Sequence, residues 1–133
     1  MPATRRPLLL DTHAFLWWVS DHPSLSSRAR AAIADADNDC LLSVASCWEL
    51  AIKVSLGKLE LASRLDRFVP DQLAANQMRL LPIDLRHTLR VANLPWHHRD
   101  PFDRLLLAQC AEDELTLVSA DTSLQPYGID LLW

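Results

Sequence analysis

Residues 8 to 18 read Leu-Leu-Leu-Asp-Thr-His-Ala-Phe-Leu-Trp-Trp, and no other stretch constrains the fold as much. A short leucine run, bounded in front by Pro7, stops at Asp11, and an apolar-rich helical pattern begins directly behind it. That is a buried strand running straight into a helix. In an open α/β sheet, ligands bind in the crevice beyond the carboxyl ends of the strands. A carboxylate at this joint therefore points at a site, and Asp11 is read as the first of several acids around one divalent metal ion.

The remainder of the chain alternates in the same way. A second helix capped by Ser24 or Ser26 is expected to run to about Asp37, followed by a strand over 40–43 and a helix from about Ser46 that stops at Gly57. Residues 63–77 suit one or two helices interrupted at Pro70, 79–83 a strand and 84–94 a helix. A loop over 95–99 precedes a helix over 100–114, a strand over 115–119, a turn starting at Asp121 and a last strand over 129–133. Strands alternating with helices predict an α/β protein with a mostly parallel five-stranded sheet covered on both faces, in one domain spanning 1–133.

Composition excludes several function classes. Only Gly57 and Gly128 occur, so no Gly-rich phosphate loop or dinucleotide fingerprint can be built. Cys40, Cys47 and Cys110 lie in apolar surroundings without paired spacing, which suits reduced core thiols and gives neither a disulfide framework nor a zinc site. The longest apolar run, 14–19, is far short of the ~20 residues of a membrane span, and the apolar core of a signal peptide is missing behind Arg5 and Arg6. A cytoplasmic protein with no membrane partner is expected. The net charge of −4 leaves no basic footprint overall. Setting four acids aside for a metal leaves 13 acidic against 13 basic residues, and a neutral body with local arginines can hold a phosphate backbone.

Each candidate acid also has a structural explanation, since Asp11, Asp100 and Asp121 are placed to cap helices and Glu49 to complete a capping box with Ser46. Asp103 resists that explanation. Leu106, Leu107 and Cys110 follow it at i+3, i+4 and i+7, so it occupies an inward helix stripe where an apolar residue would pack. Asp11, Glu49 and Asp121 all follow expected strands, and in a parallel sheet such joints fall at one edge. Four carboxylates about 5 Å apart repel by roughly 3 kcal/mol per pair at an effective dielectric near 20. Such a cluster needs a cation or shared protons, and hard oxygen ligands favour Mg²⁺, with Mn²⁺ as substitute. Carboxylate-held metal beside basic residues suits phosphodiester hydrolysis by metal-activated water.

Four blocks carry a family resemblance: 8–18, Ser-Cys-Trp-Glu-Leu-Ala-Ile-Lys at 46–53, His-Arg-Asp-Pro-Phe-Asp-Arg-Leu-Leu-Leu-Ala-Gln at 98–109, and Leu-Val-Ser-Ala-Asp at 117–121. Their order over nearly the whole chain resembles PIN-domain ribonucleases, and most of all the VapC-type toxins of bacterial toxin-antitoxin pairs. The resemblance implies a three-layer α/β/α sandwich and a metal site of Asp11, Glu49, Asp103 and Asp121. It also implies Mg²⁺-dependent endonucleolytic cleavage of RNA, a two-fold dimer, and silencing by a cognate antitoxin whose C-terminal segment covers the site.

Arg99, Arg104 and Lys53 are the candidate phosphate contacts, with His98 and His97 as candidates for stacking on or donating to RNA. Trp17, Trp18, Trp48 and Trp96 are expected in the core and at interfaces. A receiver domain would need paired acids after the first strand and a lysine after the last, and a haloacid-dehalogenase-like phosphatase an acid where His13 stands. The alternative from another class is a non-catalytic PIN-like module that only binds a protein partner.

Overall fold

The computed structural model describes residues 5–133; the first four residues of the expected 1–133 domain lie outside it. Five parallel strands, β1 (Leu8–Leu10), β2 (Cys40–Ser43), β3 (Arg79–Leu81), β4 (Thr116–Val118) and β5 (Leu131–Leu132), form one sheet in the order β3-β2-β1-β4-β5. β1 is central, with Leu8 opposite Cys40 on one side and Thr116 on the other. Because side chains alternate along a strand, Leu8 and Leu10 face one layer while Leu9 faces the other. The leucine run is apolar throughout because helices cover both its faces.

One layer contains α1 (Thr12–Val19), α2 (Ser27–Ala34) and α4 (Leu65–Ala75), with Phe15, Ala29, Ile33 and Phe68 packed on Leu8, Leu10 and Leu42. In the other, Leu106, Leu107 and Cys110 of α6 (Pro101–Asp113) pack on Leu9, Leu41 and Leu117. α3 (Val44–Ser55) borders both, giving Leu50 to the first cluster and Ala45 to the second. The result is the expected α/β/α sandwich.

α5 (Leu85–Val91) is tied to α6 by buried His87, whose Nδ1 accepts from the Asp84 amide at 3.0 Å, leaving Nε2–H to donate to Asp113 at 2.9 Å. Gln109 locks α6 to the sheet by accepting from Ser43 Oγ at 2.6 Å and donating to the Pro82 carbonyl at 3.2 Å.

Several expected boundaries move. α4 runs unbroken through Pro70; the donor that proline lacks would have met the carbonyl of Asp66, and both residues are exposed, so solvent can take up the freed group. α3 begins at Val44, because Ser43 Oγ accepts from the Ala45 amide at 3.0 Å and caps the helix at the strand's own last residue. The capping box expected for Ser46 and Glu49 therefore does not form. α2 is capped by Ser26 and ends at Ala34, and the last three strands are shorter than their apolar runs. No described helix is long and apolar enough to cross a membrane.

Candidate functional site

The parallel registers align Leu10, Leu42 and Val118, so β1, β2 and β4 end at one edge of the sheet. Asp11 follows β1 directly, buried, and its amide donates to the Val118 carbonyl at 3.1 Å. Its Oδ1 caps α1 by accepting from the Ala14 amide at 2.8 Å, and that amide and the Ser119 hydroxyl both favour the charged carboxylate. Burial nevertheless raises its pKa above the usual range, and the charge of Glu49 pushes the same way.

Asp103 stands in the first turn of α6, whose N-cap is Asp100, accepting from the amides of Phe102 at 2.9 Å and Asp103 at 3.1 Å. The Asp103 carboxyl is pushed up to about 6, first by burial, with the charges of Asp100 and Asp11 adding and His98 opposing. Asp121 caps the 3₁₀ helix Thr122–Tyr127, its Oδ1 accepting from the Ser123 amide at 2.9 Å and hydroxyl at 2.6 Å, and the hydroxyl chiefly holds its pKa low. His98 joins the two: Nε2 is 2.8 Å from Asp103 Oδ2 and 3.9 Å from Asp121 Oδ2. One ligand atom from each of His98, Asp103 and Asp121 lies within 4.8 Å of the others.

Glu49, on α3, accepts from Thr12 Oγ1 at 2.5 Å through Oε1 and pairs with Lys53 at 3.2 Å through Oε2. The tightest group is thus His98, Asp103 and Asp121, while Asp11 and Glu49 stand beside it, linked through their charges and through Thr12. Capping and clustering are compatible, because Asp11 and Asp121 each use Oδ1 as the cap.

The donor set fits a hard divalent cation. Carboxylate oxygens, the donors that suit Mg²⁺ or Mn²⁺, dominate it, with the one imidazole of His98 beside them. Two of its acids are held above their ordinary pKa, the state a bound cation relieves. Ser46 Oγ, one turn before Glu49 on the same stripe of α3, is the only buried side-chain polar atom among the described residues without a partner.

Arg104 is a correction. Expected to contact phosphate, it is 3% exposed and its guanidinium donates to backbone carbonyls of the 91–98 segment. It is a clamp inside the protein. Arg99 is exposed and Lys53 half-buried against Glu49. His98 faces the acids, with Nδ1 3.4 Å from Ser123 Oγ, and His97 lies edge-on to Tyr127 with ring centroids 5.2 Å apart. Of the tryptophans expected in the core and at interfaces, Trp48 and Trp96 lie outside the core, 59% and 78% exposed. Trp48 meets Phe102 edge-on, and Trp96 lies over the Arg104 guanidinium. Sequence reasoning missed Thr12 and Ser123; the signal was a hydroxyl residue one or two positions after an acid that follows a strand.

Fold and site together define a class. The PIN-domain family model matches residues 8–128, and the chain belongs to that family. Within it the chain is of the VapC type. It is 30% identical to Ribonuclease VapC22 of Mycobacterium tuberculosis over 121 residues, covering 90% of this chain and 91% of that one. With Ribonuclease VapC16 of the same organism it shares 39% identity over 71 residues, so the match spans half the length of that relative and half of this chain. Among solved structures, VapBC2 from Rickettsia felis bound to a promoter DNA fragment aligns at TM-score 0.70 and 16% identity, covering 93% of this chain and 96% of that one. FitAcB from Neisseria gonorrhoeae aligns at TM-score 0.66 and 20% identity, covering 93% and 95%. These structures share the fold.

Proposed function

We propose that this protein is a metal-dependent endoribonuclease acting, as a single domain over 1–133, as the toxin of a toxin-antitoxin pair. The observation that carries the reading is the gathering of Asp103, Asp121 and His98 beside Asp11 and Glu49 at one sheet edge, with Asp103 raised to about 6. Asp11 and Asp103 would hold Mg²⁺, or Mn²⁺ in its place, and Asp121 would complete the pocket. The ion, when bound, supplies positive charge that polarises the phosphate and makes water a better nucleophile. Glu49, steadied by Thr12 and Lys53, orients the attacking water. Water attacks phosphorus in line and the bond to the 3′ oxygen breaks, leaving a 5′-phosphate and a 3′-hydroxyl. Arg99 contacts the RNA phosphates, and Lys53, while paired with Glu49, adds a second positive charge beside them.

Relatives named as ribonucleases support RNA as substrate, and neighbours solved as VapBC support an antitoxin partner. A homodimer in the cytoplasm, silenced by an antitoxin segment laid over the acids, completes the proposal. The test is incubation of the purified protein with total RNA, in Mg²⁺ or in chelator, beside Asp103→Asn. Cleavage only by the unmodified protein in Mg²⁺ is expected. A protein that binds an antitoxin but cuts no RNA in Mg²⁺ or Mn²⁺ is a binding module, and the proposal fails.

A further inference from the structure

Successive helix positions point about 100° apart, so Arg104 leaves the acid pocket that its neighbour Asp103 faces and enters the protein behind it. There Nη1 donates to Pro95 O at 2.8 Å, His98 O at 3.3 Å and Tyr127 Oη at 3.2 Å, and Nη2 to Val91 O at 3.2 Å and Leu94 O at 3.3 Å. The Trp96 ring covers its face, 3.9 Å from Cζ to centroid. No described carboxylate forms an ion pair with it. A buried cation without an acid is tolerated only when dipoles surround it, and here four carbonyls do so. All four belong to one segment, 91–98, which has no strand or further helix once α5 ends at Val91.

That segment ends in His98. Its backbone carbonyl is held by Arg104 and its ring by Asp103, with Asp121 beside it. We propose that Arg104 is the positioning residue of the site: its guanidinium moulds the 91–98 segment so that the His98 imidazole stands between Asp103 and Asp121. Arg104 acts on the chemistry only through His98. The inference rests on reading these acids as the cleavage site, and its experiment separates the two ideas.

The test uses the full chain with Arg104→Lys, which keeps the charge but loses the planar fork, Trp96→Ala, which uncovers the guanidinium, His98→Gln, and the Arg104→Lys/His98→Gln double variant. The His98 ring signals are followed by ¹H–¹⁵N NMR, and RNA cleavage by kcat and KM in Mg²⁺. Arg104→Lys is expected to shift or broaden the ring signals and lower kcat about 10–100-fold with little change in KM, since small misplacements cost that much. Trp96→Ala does the same to a smaller degree and carries the test should Arg104→Lys not fold. The double variant is no slower, within about twofold, than the slower single variant, as for residues acting in one chain of contacts. Unchanged ring signals in folded Arg104→Lys or Trp96→Ala, or losses that multiply in the double variant, overturn the proposal. Absence of cleavage by the unmodified protein removes the nuclease reading, while the ring signals still decide whether Arg104 positions His98.

Discussion

Asp103 occupies a stripe position that a leucine would fill, between the sheet edge and His98. Raising a carboxyl from 3.8 to about 6 corresponds to at most about 3 kcal/mol, and a side chain 27% exposed retains about 1–2 kcal/mol of it after solvent screening. The folded state holds this proton more tightly than the unfolded chain. Its stabilising contribution is therefore full below 3.8 and disappears as pH rises through about 6. In chelator, the unmodified protein should lose thermal stability over that window. Asp103→Asn, which has no proton to lose, should melt level with it near pH 4 and up to about 5 °C higher at pH 7.5. A large drop in melting temperature at pH 7.5 would instead make Asp103 a structural residue. Asp103 was legible in the sequence because an acid among i+3, i+4 and i+7 apolar neighbours is anomalous. Arg104 was not, because an arginine's sequence position does not say whether its head meets solvent or four carbonyls.

At the scale of elements, the strand-to-helix joints were the most legible features, since each is written locally as an apolar run ended by a polar residue. The path through Pro70 was hidden, because its tolerance depends on that face of α4 being exposed. The start of α3 was hidden by Ser43, which is both the last residue of β2 and the cap of the helix. Ser43 also donates to Gln109, whose amide reaches Pro82, so one side chain of α6 fixes where two sheet connections lie. Gln109→Leu leaves the Ser43 hydroxyl and the Pro82 carbonyl short of a partner. It should cost about 1–3 kcal/mol, seen as a lower urea midpoint at unchanged slope. An unchanged midpoint would show that these groups are satisfied in another way.

For the whole molecule, the sheet order decides what the sequence could only suggest. With β1 between β2 and β4, residues 11, 49, 103 and 121, scattered over most of the chain, come to one edge. The overall charge of −4 gives no hint of that gathering, because it averages over ion pairs far from the site such as Arg86 with Asp113 and Arg79 with Asp39. Burial sharpens the effect: acids brought together in water would repel weakly, but acids withdrawn from it repel strongly enough to hold on to protons or take up a cation. The measurement closest to this claim is a calorimetric titration with Mn²⁺ of the unmodified protein, Asp11→Asn and Asp103→Asn at pH 7.5. Binding by the unmodified protein, weakened at least about tenfold in each variant, is the result predicted, since each removes a charged ligand of the proposed site. Equal affinity in all three proteins would contradict it.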